Sequence, residues 1–432
     1  MSTQTASARS PLLVYFLLGG MMFLEYAVWG AWMPVLSGTL DGRGVPPVQI
    51  GYIYSTLWLA CIISPFIGGQ LVDRLMPSQW FLALTHLLAA IVAFWTAQQT
   101  SVTGLLVGMF AWSLLFAPSL GITNSIAFFQ IGRTTDAGAK SERVFAIIRT
   151  LGSIGWIAAA FLRYFLVDVA LPDKTGKTGP ISELLLAGIL GIVMALFALA
   201  LPHTPPTKVV ASTRGDDASD PLAFVKALRM FKTVPGFAVF MLISFIAATE
   251  FQFFYLLSAP FLEDLKIPNQ MVPIVKSISQ VTEILALSVL LPLWLPSKGM
   301  KWCLLIGSFA WPLRYVIFAL QKPLWLVVAS LGLHGFGYAF VLVVQQLYVD
   351  RVAPRDIRAS AQSLLTLVTL GVGNFLGTLF CGMVQQMFTA NGVTNWPPVF
   401  ILPAVLTLIC AFAYWATFKD SQSQGEPAAV AR

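Results

Sequence analysis

Long apolar runs alternate with short polar segments along almost the whole chain, and each run extends over about 20 residues or more. A helix needs about 20 apolar residues to cross a bilayer, whereas a barrel strand needs about 10 residues of alternating polarity. The pattern therefore predicts an all-α integral membrane protein with twelve transmembrane helices. The predicted spans are residues 11–40, 49–72, 80–98, 103–130, 144–167, 181–202, 234–262, 270–295, 301–320, 323–349, 358–387 and 397–418.

A polar segment at residues 203–232, rich in Pro, Ser, Thr, Asp and Lys, is the longest connection between the predicted spans. It separates six spans from six more. We therefore predict an N-terminal six-helix bundle at residues 1–202, a cytoplasmic linker at residues 203–232, and a C-terminal six-helix bundle with a short tail at residues 233–432. Paired bundles of this kind bind solutes near the bilayer midplane, so we expect a central cavity between the halves.

Only 10% of the 432 residues are charged and 57% are hydrophobic, with a mean hydropathy of +0.79. Soluble chains carry about 25% charged residues, so the composition also excludes a water-soluble protein. The net charge of +7 could suggest a nucleic-acid partner. Most of the 26 lysines and arginines, however, lie in the loops and tails of one side, as the positive-inside rule requires. We therefore predict cytoplasmic termini and no nucleic-acid partner.

Predicted span eight carries three polar side chains, Lys276, Gln280 and Glu283, at the spacing i, i+4, i+7. This spacing puts all three on one face of a helix. A charged side chain near the bilayer centre costs at least about 2.5–3.5 kcal/mol on insertion scales. The polar face is therefore predicted to point away from lipid and to form one wall of a binding cavity.

Other spans also carry polar groups that would share a helical face. Arg149, Ser153 and Trp156 do so in span five, although an arginine near a helix end can instead reach the membrane surface. The neighbouring Gly152 and Gly155 favour close helix packing. Further candidates are Gln252 with Tyr255 in span seven, His334 with Tyr338 in span ten, and Glu25 in span one. An intramembrane carboxylate is a functional candidate by default, whereas a lone intramembrane histidine often serves packing.

The sequence contains no recognisable catalytic motif. No Ser-His-Asp arrangement, His-Glu-x-x-His motif or Walker-type glycine-rich loop is recognisable, and the four cysteines have neither metal nor redox spacing. These observations predict a gradient-driven porter with no catalytic residues, no metal and no cofactor. They argue against a membrane enzyme and against a pump driven directly by ATP.

The loop after span two reads Gly69-Gln-Leu-Val-Asp73-Arg74. At this position, Gly-x-x-x-Asp-Arg resembles the signature of the major facilitator superfamily. Glycine there lets two helices approach closely, and Asp73 with Arg74 can pair at a cytoplasmic helix end. The resemblance implies two bundles that rock about a midplane site, with Gly69, Asp73 and Arg74 as a conformational motif.

Several longer motifs, in the same order along nearly the whole chain, resemble the nucleoside:proton symporters of this superfamily, typified by bacterial nucleoside and xanthosine permeases. They include Leu24–Trp32, Pro118–Ser125, Arg149–Trp156, Leu201–His203, Ile278–Glu283, Leu313–Tyr315, Arg358–Gln362 and Asn391–Trp396. The resemblance implies a monomeric, multi-pass importer of the bacterial cytoplasmic membrane, with a nucleoside and a proton as its substrates. A same-fold porter for a sugar or nucleobase, and a non-transporting receptor or sensor, remain as alternatives.

The family pattern also implies a set of substrate-binding positions. Carried over position by position, these are Arg149, Ser153, Trp156, Gln252, Tyr255, Gln280, Glu283, His334 and Tyr338. Tyr255 stands where the family has an asparagine, and Ala339 stands where it has an aspartate. A buried carboxylate can bind and release a proton near neutral pH because desolvation disfavours its charged form. Glu283 is therefore the first candidate for proton coupling and Glu25 the second.

Overall fold

The computed structural model describes residues 10–74, 76–134, 139–170, 179–206, 223–354 and 357–418. These residues are almost entirely helical, with one two-residue hairpin near the C-terminal end. The helices are α1 Pro11–Gly30, α2 Leu36–Gly42, α3 Pro47–Arg74, α4 Ser78–Ala97, α5 Val102–Thr134, α6 Ala139–Ala170, α7 Ser182–Leu199, α8 Ala223–Thr233, α9 Phe237–Asp264, α10 Val272–Leu285, α11 Leu291–Leu320, α12 Leu324–Ser330, α13 Leu333–Gly337, α14 Val344–Val352, α15 Arg358–Thr366, α16 Asn374–Met387 and α17 Trp396–Thr417. The hairpin pairs β1 Thr389–Ala390 with β2 Val393–Thr394.

Eleven helical segments of the described residues are long and apolar enough to cross a membrane. One of them, Asn269–Leu320, has 52 residues and covers both predicted spans eight and nine. Gly299 breaks it with φ 81° and ψ 170°, a conformation outside the helical region. Because this break falls between residues 295 and 301, where two predicted spans meet, the membrane-spanning pattern matches the sequence prediction.

Three segments of π-helix interrupt the helices of the C-terminal part at Ala286–Leu290, Tyr338–Val343 and Leu367–Gly373. A π-helical turn inserts an extra residue into the helical repeat and rotates the side chains that follow it. Such turns occur frequently at functional sites. The segment at Tyr338–Val343 begins at a predicted substrate-binding residue.

Predicted span one is broken between α1 and α2, and Pro34 lies in the break. Proline removes a helical hydrogen bond and clashes with the preceding turn, which explains the interruption. Backbone groups freed inside a membrane need new partners. The Tyr54 hydroxyl donates to the Met33 carbonyl at 3.0 Å and accepts from the Ser37 N–H at 2.9 Å. Lys276 Nζ donates to the Pro34 carbonyl at 2.6 Å, so two side chains stabilise the break.

By their contacts, the residues form two compact units: Met1–Ala218 with Tyr255–Ser277, and Ser219–Phe254 with Ile278–Arg432. The segment Tyr255–Ser277 thus groups with the first unit, although it lies in predicted spans seven and eight. In the first unit, α4 packs on α7, α1 on α6 and α3 on α5; in the second, α11 packs on α17. Many side chains on the outer faces are large and apolar, as lipid contact requires.

Candidate functional site

In the first unit, α1 and α6 hold a row of aromatic rings beside a cation. The Arg149 guanidinium lies 4.1 Å from the Tyr26 ring centroid, within the range of a cation–π interaction. The Trp29 and Trp156 rings meet edge to face at 5.3 Å, and the Trp156 and Tyr255 rings at 6.2 Å. The unit therefore offers flat apolar surfaces close to a positive charge.

Two glycines of α6 allow α1 and α6, the helices that carry most of this aromatic row, to pack closely. A Cβ atom on Gly155 would overlap the Phe23 carbonyl oxygen, and one on Gly152 would lie 2.7 Å from Cδ2 of Tyr26. On the opposite helix, a Cβ atom on Gly30 would lie 2.9 Å from Cα of Trp156. The predicted packing role of Gly152 and Gly155 is confirmed, because the backbones of α1 and α6 nearly touch.

Glu25 is fully buried among α1, α4 and α5. Its Oε1 accepts a hydrogen bond from the Ser119 hydroxyl, and its Oε2 lies 3.2 Å from Nε2 of His86. The second contact has ion-pair distance but poor hydrogen-bond alignment. Sequence reasoning missed His86, because it lies far from Glu25 in the chain and only helix packing brings the two together.

A second buried ion pair joins α6 and α7. Arg163 Nη2 lies 3.4 Å from Oε2 of Glu183 and donates to Oδ1 of Asn269 at 2.7 Å. Asn269 in turn donates to Oε1 of Glu263 at 2.9 Å, and Ser182 donates to Glu183 at 2.8 Å. Arg163 lies within predicted span five, and its partners are distant from it in the sequence. Its network connects α6 and α7 to the segment between α9 and α10.

In the second unit, Gln280 and Glu283 of α10 are 6% and 7% exposed. In the first unit, Lys276 is 2% exposed and bonds to Pro34, as described above. The prediction that all three side chains point away from lipid is therefore confirmed. Gln280 accepts from the Ser279 hydroxyl at 2.9 Å. A Cβ atom on Gly335 would overlap the backbone nitrogen of Glu283, so α13 packs directly on α10 at this residue.

His334 is completely buried in the second unit. Its ring stacks on Phe254 at 4.2 Å and on Phe251 at 4.9 Å, while the Tyr338 ring lies 6.4 Å away. Arg314 lies 3.3 Å from His334 Nδ1, and guanidinium groups only donate, so Nδ1 is the acceptor. The histidine is thus part of an aromatic layer that also holds a buried arginine.

Two further polar side chains of α9, Glu250 and Gln252, are buried in the same unit. Neither amide atom of Gln252 and neither carboxylate oxygen of Glu250 has a hydrogen-bond partner among the described residues. Glu250 and Arg314 are thus two buried charged groups of the same unit. The Gln252 amide retains its full capacity for donating and accepting hydrogen bonds.

An apolar groove of about 610 Å³ lies elsewhere on the second unit, between α11, α13 and α17. Trp302, Leu313 and Trp415 line its outer part and are more than half exposed. No predicted site residue lines it, and we assign it to the lipid-facing surface. The side chains of Gly69, Asp73 and Arg74, the predicted conformational motif, lie outside the described residues.

The helical architecture, with its eleven candidate membrane-spanning segments among the described residues, is that of the major facilitator fold. A D-xylose-proton symporter, at 13% identity, shares this fold with a TM-score of 0.73 over 95% of this chain and 99% of its own. The chain belongs to the nucleoside H+ symporter family, whose model matches residues 13–423.

Individual relatives cover nearly the whole chain. The putative nucleoside transporter YegT of Escherichia coli (strain K12) is 32% identical over 418 residues, covering 94% of both chains. Nucleoside permease NupG of the same organism is 30% identical over 415 residues, covering 92% of this chain and 94% of its own. A crystal structure of a mutant nucleoside transporter NupG matches with a TM-score of 0.83 and 28% identity, covering 94% of this chain and 100% of that one.

Proposed function

We propose that this protein imports nucleosides together with protons across the bacterial cytoplasmic membrane, as a monomer with cytoplasmic termini. Membership of the nucleoside H+ symporter family and relatives named as nucleoside permeases support the substrate class. The predominance of basic residues in loops of one side supports the orientation. Two compact, almost entirely helical units support alternating access as the mode of transport.

The observation that carries the substrate assignment is the row of Trp29, Trp156 and Tyr255 beside Arg149. A nucleoside presents a flat base, and stacking of a base on an aromatic side chain is worth about 1–3 kcal/mol. Trp156 and Tyr255 supply such faces, and Arg149 and Ser153 supply donors for polar edges. We propose that these four residues contact the nucleoside.

The remaining proposed contacts are Gln252, Gln280, Glu283, His334 and Tyr338. Gln252 supports this assignment most directly, since its buried amide has no hydrogen-bond partner among the described residues. Amide and carboxylate groups match the paired donors and acceptors of a base and the vicinal hydroxyls of a ribose. Buried polar groups of this kind reject ligands that leave them unpaired.

Binding to purified protein tests the substrate class. Trp156→Ala should weaken nucleoside affinity about tenfold or more through lost stacking, and Gln280→Ala about fivefold through one lost hydrogen bond. Trp325→Ala is the matched control, because Trp325 is 69% exposed on the outer surface. Binding of a sugar or nucleobase in place of labelled uridine and inosine would refute the nucleoside assignment while preserving the porter.

Two buried carboxylates, Glu283 and Glu25, are the proposed proton carriers. Glu283→Gln imitates the protonated side chain permanently. In proteoliposomes with an imposed pH gradient, this variant should lose uphill nucleoside uptake and retain exchange of nucleoside without a gradient. Uphill uptake at the wild-type level would exclude Glu283 as a carrier.

A further inference from the structure

The hydrogen bond of the His86 ring to its own helix fixes one of its two protons. His86 Nδ1 lies 3.0 Å from the Leu82 carbonyl oxygen. A carbonyl oxygen only accepts, so Nδ1 carries a hydrogen. Nε2 is then a bare acceptor in the neutral ring and an N–H donor in the imidazolium ion.

The contact with Glu25 fixes the second proton. Glu25 Oε2 lies 3.2 Å from Nε2 of His86. A carboxylate beside a neutral Nε2 would hold two electron-rich atoms 3.2 Å apart with no positive charge to attract them. A proton must therefore reside on one of the two atoms, as a carboxylic acid beside a neutral imidazole or as a carboxylate beside an imidazolium. Both forms contain the same number of protons, and both make the pair electrically neutral.

The burial of Glu25 and His86 also favours the form of the pair that shares one proton and has no net charge. Glu25 is 0% and His86 1% exposed, and a net charge in such surroundings is strongly disfavoured. Ser119 supports the pair from α5: its hydroxyl lies within reach of both Glu25 Oε1 and the Phe116 carbonyl oxygen. Glu25 Oε1 is an acceptor in both forms of the pair, because the shared proton lies between Oε2 and Nε2, so donation from Ser119 suits either form.

Two arginines of α6, which packs against α1, contact groups other than this pair. Arg149 of α6 lies over Tyr26, and Arg163 of α6 pairs with Glu183 of α7. Among the described residues, Glu25 has its hydrogen bond and its ion pair with Ser119 and His86 alone. The protonation state of the pair therefore depends on these groups.

From this geometry we infer that Glu25 and His86 form one proton-binding site, held here in its loaded form, and that loss of the proton drives the two side chains apart. The inference rests on the proton-coupled transport proposed above. One proton from water outside the cell converts the facing carboxylate and neutral imidazole into the neutral pair. The same proton leaves to water on the cytoplasmic side, which restores the starting pair.

Separation of the pair would act on the proposed nucleoside contacts through α1. Tyr26, which lies under Arg149, follows Glu25 directly, and Trp29, which meets Trp156, lies one turn further on. At Gly155 the backbones of α1 and α6 are in such close contact that one helix cannot shift without moving the other. A shift of Glu25 therefore displaces the groups that hold Arg149 and Trp156, which is a physical link between proton and substrate.

The test compares nucleoside exchange with proton movement in proteoliposomes that contain a trapped pH-sensitive dye. Glu25→Gln and His86→Gln should lose uridine-induced proton uptake and uphill accumulation while uridine exchange persists. His203→Gln is the matched control, since the His203 ring bonds to the Gln79 amide, and it should retain all three activities. Wild-type proton uptake in either pair variant would overturn the inference.

Two further results separate this inference from the proposed function. Absence of uridine exchange by the wild-type protein would refute the nucleoside assignment, and exchange without proton uptake would refute coupling and this site with it. If the glutamine variants fail to fold, Glu25→Asp tests the inference instead, because it keeps the carboxyl group on a side chain that is one methylene shorter. The pH profile of its exchange should be displaced from that of the wild type, and an unchanged profile would overturn the inference.

Discussion

Replacing Gly335 by alanine should disturb the second unit at the point where α13 crosses α10. The new Cβ atom would overlap the Glu283 nitrogen and lie 2.6 Å from the Thr282 carbonyl oxygen, whereas ordinary contact begins at 3.4 Å. The two helices would have to separate by at least about 0.8 Å, the difference between those distances, and by more at the Glu283 nitrogen. Overpacking of this kind costs about 1–3 kcal/mol, against a gain of up to about 1 kcal/mol in helix propensity.

The functional effect should exceed the loss of stability. A misplacement of about 1 Å can cost about 100-fold where groups must be positioned closely, and Glu283 is a proposed contact of the nucleoside. We expect Gly335→Ala to raise the Kd for uridine and lower its uptake well beyond the effect on thermal unfolding in detergent. Gly121→Ala is the matched control, since a Cβ atom there meets nothing within 4 Å. Equal uridine binding by the two variants would refute the reasoning.

Two other substitutions test the buried polar networks of the first unit. Arg163→Gln should destabilise the protein by about 3–5 kcal/mol, because Glu183 would remain buried without its cation, and the additional change Glu183→Gln should recover much of the loss. Thermal unfolding followed by size-exclusion chromatography measures this, and an unchanged melting temperature of the single variant would contradict it. Tyr54→Phe removes hydrogen bonds to Met33 and Ser37 and should cost about 1–3 kcal/mol in the same assay, with Tyr52→Phe, on the exposed face of α3, as its control.

Hydropathy and helical spacing were sufficient to predict the spans, because crossing a bilayer imposes a length and a polarity that any single segment reveals. The same reasoning predicted correctly that Gln280 and Glu283 turn inward. It also predicted correctly that Gly152 and Gly155 serve close packing. Each of these properties depends on the chemistry of one helix.

Contacts that depend on the register between helices could not be predicted. The pairing of Glu25 with His86 and of Arg163 with Asn269 requires the relative rotation and height of two or more helices. The π-helical segments were also missed, since five or more apolar residues fit an α-helix and a π-helix equally well. The nine predicted substrate contacts therefore remain a prediction from family positions, which binding measurements with the variants above can test.

The hydrogen bond between Lys276 and Pro34 makes the chemical reactivity of the Lys276 amine a measure of conformational change. A primary amine that is 2% exposed and bonded to a carbonyl oxygen at 2.6 Å is shielded from amine-reactive reagents. Its labelling rate would therefore report how often this bond opens and admits water to the break in span one. Mass spectrometry of labelled peptides, with exposed lysines as an internal standard, would measure this rate. The rate of conformational exchange could thus be followed in the protein without any substitution in its sequence.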